Sequence, residues 1–131
     1  MQINTVPVDQ AAFTKMRVDT IEARTDRESG VQLTNQDGTE RKWTVQCVMS
    51  LPSRWDPART DSEVIPVTVT SAIDPSSVVS EGELVEFENL TVGVMRPEKT
   101  DAGRIRGGTL FWSASGIRSK VQVVHKARSD G

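Results

Sequence analysis

Between Lys42 and Ser50 the side chains alternate: Trp43, Val45, Cys47 and Met49 fall on one side, and Lys42, Thr44, Gln46 and Ser50 largely on the other. A period of two is the mark of a half-buried β-strand, because successive Cβ atoms point to opposite faces of a sheet. A helix does not gather such residues on one face. A strand with one apolar face needs neighbouring strands and a covering layer, so this stretch commits the chain to a β architecture. Pro52 ends the strand.

Four further strands follow from the same reasoning. Residues 18–24 alternate imperfectly and form a first strand. DRESG and NQDG then supply turns, with Gly30 and Gly38 at positions that favour positive φ. A polar connection, SRWDPARTD, leads to a third strand through Val64, Ile65, Val67 and Val69. Pro66 lacks an N–H, which places an edge or bulge there. IDPSSVVSEG reads as a turn or single helical turn closed by Gly82. Residues 84–94 form a fourth strand whose inward phase changes, from Val85 and Phe87 to Leu90, Val92 and Val94. A bulge or sharp coil near Glu88 and Asn89 reconciles the two phases. Residues 109–117 form the fifth strand, after a long basic connection at 96–108. Near the N-terminus, Asp9 is a good cap, and Ala12, Phe13 and Met16 have helical spacing, which predicts a short helix over 9–16.

Five strands with a small helical element between the third and fourth match the OB order, an all-β Greek-key barrel. The strand count by itself also admits an SH3-like barrel or a small sandwich. At 131 residues the chain is the length of one domain. The expected division is an OB-fold domain over 1–119 and a partly flexible tail over 120–131.

The types of residue present argue against most chemistry. One cysteine, Cys47, and one histidine, His125, leave no multi-cysteine zinc site and no disulfide within the chain. Cys47 shares its face with Val45 and Met49, the setting of a buried structural thiol. There is no nucleophile elbow, and neither a GxxxxGK[ST] nor a GxGxxG phosphate loop. The carboxylates Glu81, Glu83, Glu86 and Glu88 lie along a strand without a calcium-loop pattern. The expectation is a non-enzymatic protein without metal or cofactor. No apolar run reaches the ~18 residues of a membrane span, and the N-terminus lacks signal-peptide character, so a cytoplasmic location is expected.

Binding is the more promising class. Net charge is −2, but the charges are segregated: residues 74–88 carry five acids and no base, whereas 96–128 carry eight bases and two acids. Such a local field attracts an anionic ligand even in a near-neutral chain. Single-strand binding combines cationic groups for phosphates with aromatic faces for bases. Trp55 lies in a loop between Arg54 and Arg59 and is the best stacking candidate. Phe111 and Trp112 point to opposite faces; Trp112 shares its side with Leu110 and Ala114, which leaves Phe111 as the surface aromatic. Phosphate contacts are expected from Arg96, Lys99, Arg104 and Arg106, with Arg41 and Lys42 at the head of the second strand.

A set of landmarks runs through most of the chain: VPVD at 6–9, DRESG at 26–30, KWTVQCVM at 42–49, VIPVTV at 64–69, EGELVEFENLTV at 81–92 and FWSASGIR at 111–118. With them the chain resembles small regulatory or single-stranded-DNA-binding-like proteins of actinobacterial conjugative plasmids and integrative elements. The resemblance implies an OB-like fold and a role in DNA transfer, replication or its regulation. The expected partner is single-stranded DNA, with a homodimer or higher oligomer formed through open strand edges. The alternative is a protein-interaction module docking on a replication or conjugation complex, favoured by the acidic 74–88 segment.

Overall fold

The alternation at 42–50 becomes part of a long strand with a neighbour on each side, in a mostly β structure. The computed structural model describes residues 5–94, 98–99, 102–103, 105–106 and 109–120. Ten strands occur among them: β1 (Val6–Pro7), β2 (Lys15–Ala23), β3 (Arg41–Pro52), β4 (Thr60–Ser71), β5 (Val85–Glu88), β6 (Thr91–Val94), β7 (Glu98–Lys99), β8 (Ile105–Arg106), β9 (Leu110–Ala114) and β10 (Gly116–Ser119). Trp43, Val45, Cys47 and Met49 of β3 are all buried, and the last three share the core with Val67 and Val69 of β4 and Met16 and Val18 of β2. Phe87, Val85, Leu90 and Ile117 close the core from the other side.

β2, β3 and β4 form an antiparallel meander; β9 adds to β4 in parallel, β6 pairs β9, and β1 pairs β6. β5 and β10 make a separate antiparallel pair. Each continues a strand of the six-stranded sheet, β5 into β6 and β9 into β10. The register is the same on both sides of the join: Glu88 faces Gly116 and Thr91 faces Ser113. No residue is therefore inserted at the expected phase change. The chain instead bends on both arms at once, at Asn89, whose φ is 53°, and at Ser115, whose hydroxyl accepts from Asn89 Nδ2 at 2.8 Å. Asparagine tolerates this left-handed conformation better than most residues.

The ladders do not close into a barrel. Between β2 and β5 runs a seam. One bridge joins Arg17 to Leu84, flanked by Val18 N–H donating to Glu83 O (3.0 Å) and Gly82 N–H to Val18 O (2.7 Å). Further along, the segment before β2 takes over. Val8 N–H donates to Leu90 O at 2.9 Å. The Gln10 side chain then acts as a surrogate backbone: its Nε2 donates to Phe87 O and its Oε1 accepts from Phe87 N–H, both at 2.8 Å. A primary amide carries the same donor and acceptor as a peptide group, so one side chain satisfies both edge groups of a buried strand.

The expected helix over 9–16 is a single 3₁₀ turn at Gln10–Ala12. Asp9 caps it, accepting from Ala11 N–H at 3.1 Å. The chain then leaves the turn because Thr14 N–H bonds to Ser50 O (2.7 Å) and Met16 pairs with Met49. Ladder bonds offset the cost that a short isolated helix would carry. The third strand also begins earlier than expected, at Thr60, with Pro66 inside it opposite Gln46. β9 starts to pair only at Val67, so the missing N–H of Pro66 falls at the end of that ladder. The turn before β5 is a 3₁₀ turn at Pro75–Ser77, and Gly82 follows at φ 87°. The expected tail lies almost wholly outside the described residues.

Candidate nucleic-acid interface

The connection between β3 and β4 is a tight hairpin tip. Ser53 N–H donates to Arg59 O at 2.8 Å, and the Ser53 hydroxyl accepts from Trp55 N–H at 3.2 Å. Asp56 accepts from Ala58 N–H through its carboxylate and from Arg59 N–H through its carbonyl, at 3.1 and 2.9 Å. These local bonds order a segment with almost nothing to bury. The tip holds Trp55 outward: its side chain is 86% exposed and does not fold back on the sheet. The Arg54 guanidinium lies 5.6 Å from the indole centroid, a cation–π contact in a solvated setting. Arg59, also exposed, completes the trio that the sequence singles out.

Because β4 and β9 run parallel, their N-terminal ends share one end of the sheet. The hairpin tip precedes β4 and the long basic connection precedes β9, so both leave from that end. β7 and β8 continue the register of β6 and β9: Glu98 faces Arg106 four residues beyond Val94 facing Leu110. Arg96 and Arg104 lie outside the described residues, as do the side chains of Lys99 and Arg106.

Lys42 sits elsewhere. It is ten residues before Pro52 on the same strand, about 33 Å away at the usual rise. It stands on the outer face of the sheet with Thr44, Gln46 and Val48, all half-buried. A row of side chains crosses this face from strand to strand: Glu22, Thr44, Thr68, Ser113 and Thr91 are successive register partners. Arg24, just past β2, reaches the row with its side chain, its Nη1 donating to Thr68 Oγ1 at 2.8 Å. The composition alone gave no reason to select Arg24 or the hydroxyl row, since their juxtaposition depends on register across five strands.

Phe111 occupies the outer face, two residues from Ser113 on β9, with its ring against Gly93 of β6. A Cβ at Gly93 would meet Phe111 Cζ at 2.6 Å, so glycine there makes room for the ring. Phe111 is half-buried by this contact. Trp112 points inward against the core and meets Phe13 edge-on, with centroids 6.5 Å apart. Phe111 faces Pro66 in the extended register, six residues from Thr60, about 20 Å along β4 from the tip that carries Trp55. The structure thus brings Arg54, Trp55 and Arg59 together at one end, sets Phe111 midway along the outer face, and places Lys42 at the far end.

Three of the five acids in the 74–88 segment, Asp74, Glu83 and Glu86, have structural partners. Asp74 accepts from the Ser76 hydroxyl (2.7 Å) and amide (2.9 Å), which hold its carboxyl below the ordinary aspartate range. The Ser119 hydroxyl and Ser80 amide lower Glu83 likewise. Glu86 pairs with Arg118 at 3.0 Å. Burial pushes the Cys47 thiol up to about 12, as suits a packing residue. Among the described residues no three His, Cys, Asp or Glu side chains converge on a metal position, and no helix is long and apolar enough to cross a membrane. Comparison of the chain with protein-family models, with curated proteins and with solved structures returned no match.

Proposed function

We propose that this is a partly open OB barrel that binds single-stranded DNA without catalysing a reaction. Taken as five arms (β2, β3, β4, β5–β6 and β9–β10), the neighbours run first, second, third, fifth, fourth, and return to the first through the Arg17–Leu84 bridge. That order supports a Greek-key barrel left partly open, and such barrels take oligonucleotides on the face of their second and third strands and on the loops joining the first to the second and the fourth to the fifth; Trp55 extends that face at the tip joining the second and third arms. Here Lys42 and Thr44 lie on the second arm and Thr68 on the third, and the same outer side continues to Arg24 beside the first arm and Phe111 on the fifth.

The observation that carries the reading is Trp55. Its large apolar ring is ordered at a hairpin tip, left 86% exposed, and flanked by Arg54 and Arg59. Such a ring contributes little to folding where it stands, and it matches what a base needs, a flat face beside cations for the phosphate. In this mechanism bases stack on Trp55 and on Phe111, which lies about 20 Å along β4 from the hairpin tip, so the ligand is a strand of several nucleotides. The resemblance carried by KWTVQCVM, EGELVEFENLTV and the other landmarks gives the setting: transfer, replication or its regulation on a plasmid, phage or integrated element.

Anisotropy titrations of labelled oligo-dT, a mixed single strand and a duplex, each at two salt concentrations, test the reading. Tighter binding of the single strands, weakening with salt, is expected. No binding of any of them at low salt removes it.

A further inference from the structure

The end of the sheet that bears Trp55 also has an inner side, opposite in character to the outer face. β3 and β4 run on past the core as a two-stranded arm. Beneath it lies a groove of about 350 Å³ lined by Phe13, Met49, Leu51 and Ile65, with Asp61 and Glu63 at its rim. Register explains the grouping: Asp61 pairs with Leu51 and Glu63 with Met49, so both carboxylates point to the side where the apolar floor lies. Leu51 is 42% exposed, a large aliphatic side chain left uncovered beside two acids. The one ion pair among the described residues, Arg118–Glu86, is elsewhere, so neither rim carboxylate is matched by a described base.

An apolar floor beside two carboxylates selects by charge as well as by shape. Anionic nucleic acid is repelled; a cationic group on an apolar stem is attracted. We propose that this groove docks a short extended peptide segment of a partner protein, one carrying an apolar side chain two residues from lysine or arginine, so that both face the groove. The apolar side chain covers Leu51 and Phe13, and the bases meet Asp61 and Glu63. Two alternate positions on one strand face stand about 7 Å apart, which suits bases two residues apart on an extended peptide. The site is independent of the DNA reading, and occupying both faces couples a nucleic acid to a protein.

The test uses three end-capped, labelled octapeptides on the full chain, each two copies of a four-residue repeat that sets its paired side chains on one face: Leu-Ser-Lys-Ser (leucine–lysine), Leu-Ser-Glu-Ser (leucine–glutamate) and Ser-Ser-Lys-Ser (serine–lysine). The leucine–lysine peptide binds at least ~tenfold more tightly than either control. The double variant Asp61→Asn, Glu63→Gln weakens it by ~tenfold, and Leu51→Ser weakens it without altering charge. Trp55→Ala leaves peptide binding unchanged, which separates this proposal from the DNA reading. All the altered side chains are exposed, and circular dichroism checks that each variant is folded. Equal binding of the serine–lysine peptide, or wild-type affinity in the double variant, overturns the proposal. So does a dimer of this chain that Leu51→Ser dissociates, since the groove would then serve a second copy.

Discussion

Gln10 is the residue whose removal most directly probes how the segment before β2 is held against β5. Its amide spans a sequence separation of 77 residues to bond both backbone groups of Phe87, which is itself 2% exposed. In Gln10→Ala both bonds disappear and two backbone groups of a core strand lose their partners. Each such group costs ~1–3 kcal/mol when buried. Gln10 is only half-buried, so water regains part of this, and the expected loss is ~2 kcal/mol in total. Gln10→Met keeps the volume and removes the bonds, so it should fall by a similar amount; a much smaller loss there would assign the effect to packing. Equilibrium urea unfolding with a common m-value measures both. A loss below ~0.5 kcal/mol in both variants, the range of an ordinary surface change, would refute the idea that this side chain holds the two edges together.

Three other outcomes follow from named contacts. Cys47, with its thiol raised to about 12 by burial, should resist alkylation at pH 8 in the folded protein and react fully in denaturant. Asp74 caps the Pro75–Ser77 turn, so Asp74→Ala should cost ~1 kcal/mol at pH 7. Its folded-state pKa is depressed, so the contribution is present above the ordinary aspartate value and lost as pH falls through the folded value. The variant should therefore show a flatter acid limb than the parent below about pH 4 in pH-dependent unfolding. Asn89, at φ 53°, should tolerate Gly within ~0.5 kcal/mol, whereas Asn89→Val should lose ~1–2 kcal/mol by thermal melting.

Features set by a few neighbouring residues could be read in advance. The Trp43–Met49 alternation, the turn glycines Gly30, Gly38 and Gly82, the phase change at Asn89 and the inward Trp112 all depend on local pattern, and the structure contains each of them. The N-terminal misreading was also local: Ala12, Phe13 and Met16 have helical spacing over too few residues to outweigh ladder bonds formed with Ser50 and Met49. What depends on distant pairing was not legible. Nothing near Gln10 announces Phe87, nothing in Asp61 or Glu63 announces Leu51 and Phe13, and the hydroxyl row exists only once five strands are in register. Trp55 was legible as a candidate by its loop and its arginines. Its exposure was not, because a loop tryptophan that packs back onto the sheet has the same sequence.

Tryptophan emission offers the most direct test of single-strand binding through Trp55. Trp43 is 4% exposed and Trp112 half-buried, whereas Trp55 is 86% exposed, so a ligand stacking at the hairpin tip reports mainly through Trp55. Titration of oligo-dT at low salt should change the emission of the parent, and Trp55→Ala should lose that signal. By anisotropy the same variant should bind ~1–3 kcal/mol more weakly. An unchanged affinity in Trp55→Ala, or no binding by the parent, would contradict it.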